Sequence, residues 1–195
     1  MRLRRRKGLQ FGKRRRRPNL TVFKEVMTWT IEVIIVVALA FTMVYFAGQR
    51  TKVIGNSMEP QFKEGDQLLI NRFAYIFSQP KANDIIVFLP NGNEKAHHYV
   101  KRVVAGPGDT VQIIDGILYV NGCVFEEEIE VAKMEYAGIA ETEITLGTDE
   151  YFVLGDNRNN SEDSRYANIG LVKGSYIIGK AWFIVQPFSD FGFIK

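Results

Sequence analysis

The apolar stretch from Met27 to Ala47 constrains this chain more than any other feature of its sequence. It reads MTWTIEVIIVVALAFTMVYFA, and its one charged residue is Glu32. At about 1.5 Å per helical residue, this length matches a bilayer core of about 30 Å. A carboxylate at mid-bilayer costs on the order of 3 kcal/mol, whereas each buried Ile, Val, Leu or Phe returns about 0.3–0.6 kcal/mol. The stretch therefore predicts a transmembrane helix, with Glu32 near the cytoplasmic interface or protonated.

A strongly basic arm precedes this helix. Residues 1–24 carry eleven Lys or Arg and no acidic residue, whereas the rest of the chain carries 14 basic and 22 acidic residues. Such an arm could bind nucleic acid, but the apolar span behind it favours the positive-inside rule as the explanation. We therefore predict a basic cytoplasmic arm over residues 1–26, a transmembrane signal anchor over residues 27–48, and no nucleic-acid partner. The body over residues 49–195 then lies on the outer face of the plasma membrane, behind a single-pass anchor.

A cleavable signal peptide is the competing interpretation of this N-terminus. The outer end of the apolar stretch reads Tyr45-Phe46-Ala47. Tyrosine is too large for the small position three residues before a cut after Ala47. The small residues Ala38 and Ala40 have suitable sizes but would lie within the membrane. An uncleaved anchor is therefore favoured.

The outer body reads as a series of short strands. Seven segments are β-branched or apolar, with turn signals between them. Asp115-Gly116 separates two of them and is a strong signal for a two-residue hairpin. We predict a mainly β fold, an antiparallel β-rich and partly barrel-like domain behind one N-terminal transmembrane helix. A small inserted segment is expected around residues 115–148, with a helix conceivable only at 126–136. The seven segments are residues 67–71, 84–88, 99–104, 110–114, 117–120, 151–154 and 176–185.

Cysteine and histidine usage argues against a disulfide framework or a metal site. The single cysteine, Cys123, cannot form an intramolecular disulfide, and we interpret it as a small structural residue. No cluster of His and Cys has the spacing of metal ligands, so no metal or cofactor is expected.

Two residues of the body suggest a nucleophile and its base. Ser57 lies in the turn-rich segment Gly55-Asn56-Ser57-Met58-Glu59-Pro60, and Lys101 follows it 44 residues later on an apolar strand. Strand alternation puts Lys101 and Arg102 on opposite faces, so one of them must point toward the buried side of the sheet. Burial without a carboxylate partner can lower a lysine pKa by about 3–5 units, whereas arginine stays protonated. Lys101 is therefore the candidate base, while His97 and His98 keep a Ser-His alternative open.

With the segment from Leu154 to Arg165, these motifs resemble the type I (leader) signal peptidases of bacteria, membrane-anchored serine proteases with a Ser-Lys dyad. The resemblance runs from about Thr28 to Phe188. It implies that Ser57 is the nucleophile and Lys101 the general base. It also implies that the substrates are the signal peptides of secretory preproteins, cut after a small residue at the surface of the lipid bilayer.

The resemblance implies supporting roles as well. Relatives that use histidine place it at the motif position of Lys101, so His97 and His98 are expected to face solvent. Some relatives stabilise the oxyanion with a serine hydroxyl two residues before the nucleophile, where this chain has Gly55, which leaves the backbone N–H of Ser57 as the identified donor. In the remaining roles, Ser161 orients the lysine amine, Asp163 and Arg165 form a structural ion pair, Asp156 and Arg158 are scaffold residues, and Met58 shapes the pocket.

Two other functions stay open at this point. The first is a Ser-Lys peptidase that processes itself, like the autocleaving repressors, although those proteins are soluble and carry a DNA-binding domain. The second is a membrane-anchored β-domain that binds a partner without catalysis and has no use for Lys101.

Overall fold

The computed structural model describes residues 20–194 of the chain. The chain divides into two compact units, Met1–Phe41 and Thr42–Lys195. Most of the predicted cytoplasmic arm over residues 1–26 therefore lies outside the described residues.

Helix α1 runs from Leu20 to Ala47, so it begins earlier than hydropathy alone predicted. Among residues 20–194 it is the one helix long and apolar enough to cross a membrane. Its large apolar side chains are exposed, as an anchor in lipid would require. The hydroxyls of Thr28 and Thr30 donate to the carbonyls of Lys24 and Val26, at 3.0 and 2.7 Å, so these polar groups are satisfied within the helix.

The part of the chain after the helix forms two antiparallel sheets. The larger sheet has the strand order β1-β2-β11-β3-β4-β9-β10, with β12 also paired to β11, and the smaller sheet has the order β7-β6-β5-β8. The bounds are β1 Gln49–Lys52, β2 Gln67–Asn71, β3 Ile85–Phe88, β4 Tyr99–Ala105, β5 Thr110–Ile114, β6 Ile117–Val120, β7 Cys123–Val124, β8 Ile144–Thr145, β9 Glu150–Leu154, β10 Val172–Lys173, β11 Ile177–Gln186 and β12 Gly192–Phe193.

The predicted fold class is confirmed: the body is mainly β and antiparallel, with a curled, half-barrel main sheet behind one N-terminal apolar helix. All seven predicted strands are present, with ends that shift by a residue at most. At the predicted hairpin, Asp115 and Gly116 have φ of 49° and 76°, the positive values that a type I′ turn requires. No helix forms at residues 126–136, where the chain is irregular.

Both faces of the main sheet are covered. On β3, Ile85 and Val87 belong to one buried cluster, whereas Ile86 and Phe88 belong to another. The neighbouring strand β4 is buried from Val100 to Ala105 for the same reason. Lys101 and Arg102 are both buried, with exposed fractions of 4% and 1%. Alternation separates two side chains to opposite faces, but here neither face is open to water.

Candidate active site

The nucleophile candidate Ser57 lies in a loop that is closed at its base. Val53 donates its N–H to the carbonyl of Asp66 at 2.8 Å, and Gly65 donates to the carbonyl of Val53 at 2.9 Å. Met58 and Phe62 are fully buried within this loop and fasten it to the core. Ser57 itself is half-buried, so a substrate can reach its hydroxyl.

The amine of Lys101 lies 2.7 Å from the hydroxyl oxygen of Ser57, within hydrogen-bonding distance. Strand β4 holds the lysine side chain in the interior, and its amine also lies 5.3 Å from the centre of the Tyr99 ring. Burial lowers the pKa of Lys101 to about 8, although the carboxylates of Asp163, Glu162 and Asp156 pull it upward. About one tenth of this amine is therefore neutral near pH 7, and the neutral form is the one that can accept a proton from an alcohol.

Asp163 is fully buried at the centre of the loop from residue 155 to 165. Its carboxylate accepts the N–H of Gly155, the hydroxyl of Ser161 and three N–H groups of Arg165. The ion pair between Asp163 and Arg165 has an Nε–Oδ1 distance of 2.8 Å. Among the described residues, Asp163 makes no ion pair with Lys101, so its charge is compensated by arginine instead.

The hydroxyl of Ser161 does not have the partner that the resemblance implied. It donates to Asp163 at 2.8 Å instead of binding the amine of Lys101. A carboxylate is a stronger acceptor than a neutral amine, and Asp163 is only two residues away. Ser161 therefore supports the loop from residue 155 to 165 through Asp163.

The two scaffold candidates are each held by an ion pair, which is buried for Asp156 and partly buried for Arg158. Asp156 accepts Nε and Nη2 of Arg102, both at 2.8 Å, in a bidentate pair with no exposed carboxylate surface. Arg158 donates its Nε–H to the carbonyl of Gly155 at 3.0 Å. Its guanidinium also pairs with Glu127, which lies in the segment between β7 and β8. These pairs fix the loop backbone around the lysine.

The loop from residue 155 to 165 also forms hydrogen bonds to the loop that carries Ser57. Asn157 donates its backbone N–H to the carbonyl of Ser57 at 3.1 Å and its side-chain amide to the carbonyl of Asn56 at 3.2 Å. A Cβ at Gly155 would stand 2.2 Å from Oγ of Ser161 and 2.5 Å from the carbonyl oxygen of Ser57. No side chain fits at residue 155, so glycine is required by this close approach.

A cavity of about 250 Å³ opens beside Ser57 and Lys101. Four of its lining residues are apolar, and Met58 lines it as the resemblance implied. The expectation of solvent-facing histidines holds for exposed His97 but not for His98, which is half-buried; burial, Arg72 and His97 lower its pKa. The lining comprises Val53, Ile54, Met58, Val100, Ser57, Lys101, His97, His98, Tyr99 and Glu162.

The backbone N–H of Ser57 donates to no acceptor within residues 20–194, so it is available to a ligand. Gly55, two residues earlier, has φ of +74°, and a Cβ built there would meet nothing within 4 Å. Within the same described range, no group of three His, Cys, Asp or Glu is arranged to hold a metal ion. A hydroxyl, an amine and a backbone N–H group are thus brought together at this place in the fold.

Sequence reasoning missed the polar wall residues Tyr99 and Glu162, together with the apolar wall residues Val53, Ile54 and Val100. Tyr99 precedes Lys101 by two positions on the same strand, so alternation alone could have placed it on the same face. Glu162 lies between Ser161 and Asp163 in a loop, where no periodicity indicates direction.

Known proteins of one family are similar to this chain. A family model described as signal peptidase, peptidase S26, matches residues 26–186. Signal peptidase I T of Bacillus subtilis (strain 168) is 33% identical over 171 residues, which cover 84% of this chain and 87% of that protein. Probable signal peptidase I-1 of Synechocystis sp. is 34% identical over 164 residues, which cover 81% of each chain. A crystal structure of a signal peptidase I from Enterococcus faecalis V583 is 30% identical and covers 53% of this chain and 97% of that one, with a TM-score of 0.41. The chain therefore belongs to the signal peptidase family, peptidase S26, and is a serine endopeptidase of that family.

Proposed function

We propose that this enzyme removes N-terminal signal peptides from secreted preproteins with a Ser57–Lys101 dyad. The distance of 2.7 Å between Nζ of Lys101 and Oγ of Ser57 is the observation that supports the dyad most directly. The lowered pKa of Lys101 supports it independently, because a base must be unprotonated to act.

The reaction would proceed through an acyl-enzyme. Neutral Lys101 takes the proton of the Ser57 hydroxyl as Oγ bonds to the scissile carbonyl carbon, and the N–H of Ser57 stabilises the oxyanion. The C–N bond then breaks, and the ammonium of Lys101 gives its proton to the leaving amine. Water next loses a proton to Lys101 and attacks the ester; the ester bond breaks and the proton returns to Oγ of Ser57.

The cavity walls support a preference for small side chains before the cut. Val53, Ile54 and Met58 present apolar surface next to Ser57, and the whole cavity holds about 250 Å³. That volume admits one or two small residues and excludes a long or branched pair. An extended substrate would lie along this wall by pairing its backbone with a free strand edge.

The dyad is tested by cleavage of a secretory precursor with the full chain in detergent micelles. Ser57→Ala and Lys101→Ala should each reduce the rate by at least about 10³-fold, since removal of a nucleophile or its base disables the unit. Ser175→Ala and Lys173→Ala are matched controls at exposed positions and should keep full activity. Retained activity in both dyad variants would refute the proposal.

The same cleavage assay, extended to His98→Ala, discriminates the alternatives. If His98→Ala alone abolishes cleavage, the Ser-His alternative is right. If the wild-type chain cuts itself but no precursor, it is a self-processing peptidase. If it cuts neither, the partner-binding β-domain remains.

We further propose that residues 1–26 are cytoplasmic, that residues 27–48 anchor the chain, and that residues 49–195 lie outside the plasma membrane. Helix α1 and the basic arm before it support this orientation. Cys123 provides the test, because it is the sole cysteine of the sequence and is exposed on the small sheet, not packed as a structural residue would be. A membrane-impermeant maleimide should label it in intact cells; labelling only after lysis would reverse the topology.

A further inference from the structure

Three carboxylates surround the amine of Lys101, and they differ in their partners. Asp163 is paired with Arg165, and Asp156 is paired with Arg102, all four side chains being buried. Glu162 is exposed at the cavity wall and has no cationic partner among residues 20–194. The charges of the two aspartates are therefore compensated locally, whereas that of Glu162 is not.

Glu162 also stands beside Tyr99, whose ring lies next to the lysine amine. Burial and then the neighbouring Glu162 carboxylate raise the pKa of the Tyr99 hydroxyl, so this phenol stays neutral at working pH. His97 and His98 line the same cavity and are the other titratable groups that face it. The Glu162 carboxylate, which has no cationic partner among residues 20–194, therefore lines the same cavity as Ser57 and Lys101.

We propose that Glu162 is a positioning residue that sets the pH range of the reaction, by stabilising the ammonium form of Lys101 from the mouth of the cavity. This inference rests on the proposed role of Lys101 as the base. During acylation the lysine becomes positively charged, and a carboxylate nearby favours that state. The same carboxylate makes the resting lysine harder to deprotonate, so activity begins at a higher pH than the buried site alone would give.

The test is the pH dependence of kcat/KM for a signal-peptide substrate, which reports the titration of the free enzyme. Glu162→Gln removes the charge and keeps the shape, so the rising limb should move to lower pH by about half a pH unit, the size expected for a partly exposed charge. Below the midpoint, kcat/KM should therefore rise about threefold over wild type. Glu162→Asp should restore most of the wild-type profile.

Two controls separate this role from other causes. Glu128→Gln makes the same change of charge at an exposed position outside the cavity and should leave the profile unchanged. In a His97→Gln/His98→Gln background, Glu162→Gln should still move the limb by the same amount, because the titrating group is the lysine. The difference between wild type and Glu162→Gln should also shrink at about 1 M salt, where the Debye length falls to about 3 Å.

An unchanged midpoint in Glu162→Gln, with normal loss of activity in Ser57→Ala and Lys101→Ala, would overturn the role of Glu162 and leave the dyad intact. A shift to higher pH would overturn it as well. If the dyad variants themselves remain active, the proposed function fails first and the lysine is not the titrating base.

Discussion

Replacing Lys101 with methionine should stabilise the fold at neutral pH while it abolishes catalysis. The side chain of Lys101 is 4% exposed, and burial lowers its pKa from 10.5 to about 8. Each pH unit between the folded and unfolded pKa corresponds to about 1.36 kcal/mol, so the buried lysine costs the fold about 3 kcal/mol at pH 7. Methionine has a similar length and no charge, but it loses the hydrogen bond to Ser57, worth about 1 kcal/mol. The expected gain in the free energy of unfolding is therefore about 2 kcal/mol.

This gain should depend on pH in a defined direction. Because the folded-state pKa of Lys101 is lowered, the unfolded chain binds more protons than the folded chain between pH about 8 and 10.5. The stability of the wild type therefore rises with pH across this window. The advantage of the methionine variant should be complete below pH 8 and should disappear toward pH 10.5.

Urea unfolding of the full chain in a non-ionic detergent measures this difference, with circular dichroism and tryptophan fluorescence as probes. Lys173→Met changes an exposed lysine on β10 and should alter the free energy of unfolding by less than about 0.5 kcal/mol. A Lys101→Met protein that is less stable than wild type at pH 7 would refute the reasoning. So would a stability difference that stays constant between neutral and alkaline pH.

Three further predictions follow from the site. The wild-type kcat/KM should rise with pH to a midpoint near 8, because the active form is the neutral amine of Lys101; a midpoint near 6.5 would point to a histidine instead. Gly155→Ala should lower kcat by at least about 10²-fold, since its Cβ would stand 2.5 Å from the Ser57 carbonyl; a wild-type rate in a precursor assay would contradict this contact. Arg102→Leu should destabilise the fold by about 3–5 kcal/mol in urea unfolding, because it leaves Asp156 buried without a counter-charge; an unchanged midpoint would mean that the pair is not needed.

Much of the architecture could be predicted because it depends on local pattern. Hydropathy and length identify helix α1, and β-branched runs between turn residues identify the longer strands. The choice of Lys101 over Arg102 needed only the protonation chemistry of the two side chains. The strands that escaped prediction are short, such as Cys123–Val124 and Val172–Lys173, and two residues cannot display a period.

The features that sequence reasoning missed have a different cause. They depend on contacts between residues that are distant in the sequence. Both faces of β4 are buried because residues distant in the sequence cover them, and no local pattern reports those layers. The Ser161 hydroxyl donates to Asp163 and not to Lys101, because the loop brings the carboxylate within hydrogen-bonding distance of that hydroxyl. The direction of Glu162 likewise follows from the path of an irregular loop.

The hydrogen bond from the side-chain amide of Asn157 to the carbonyl of Asn56 joins two segments that are 101 positions apart in the chain. Ser57 is synthesised long before Asn157, which contacts its loop. Closing so long a loop is slow compared with local folding. A chain that ends before Asn157 therefore contains the Ser57 hydroxyl without the loop that positions it. The hydrogen bonds that hold the Ser57 loop therefore form only once the chain has been made as far as residue 157.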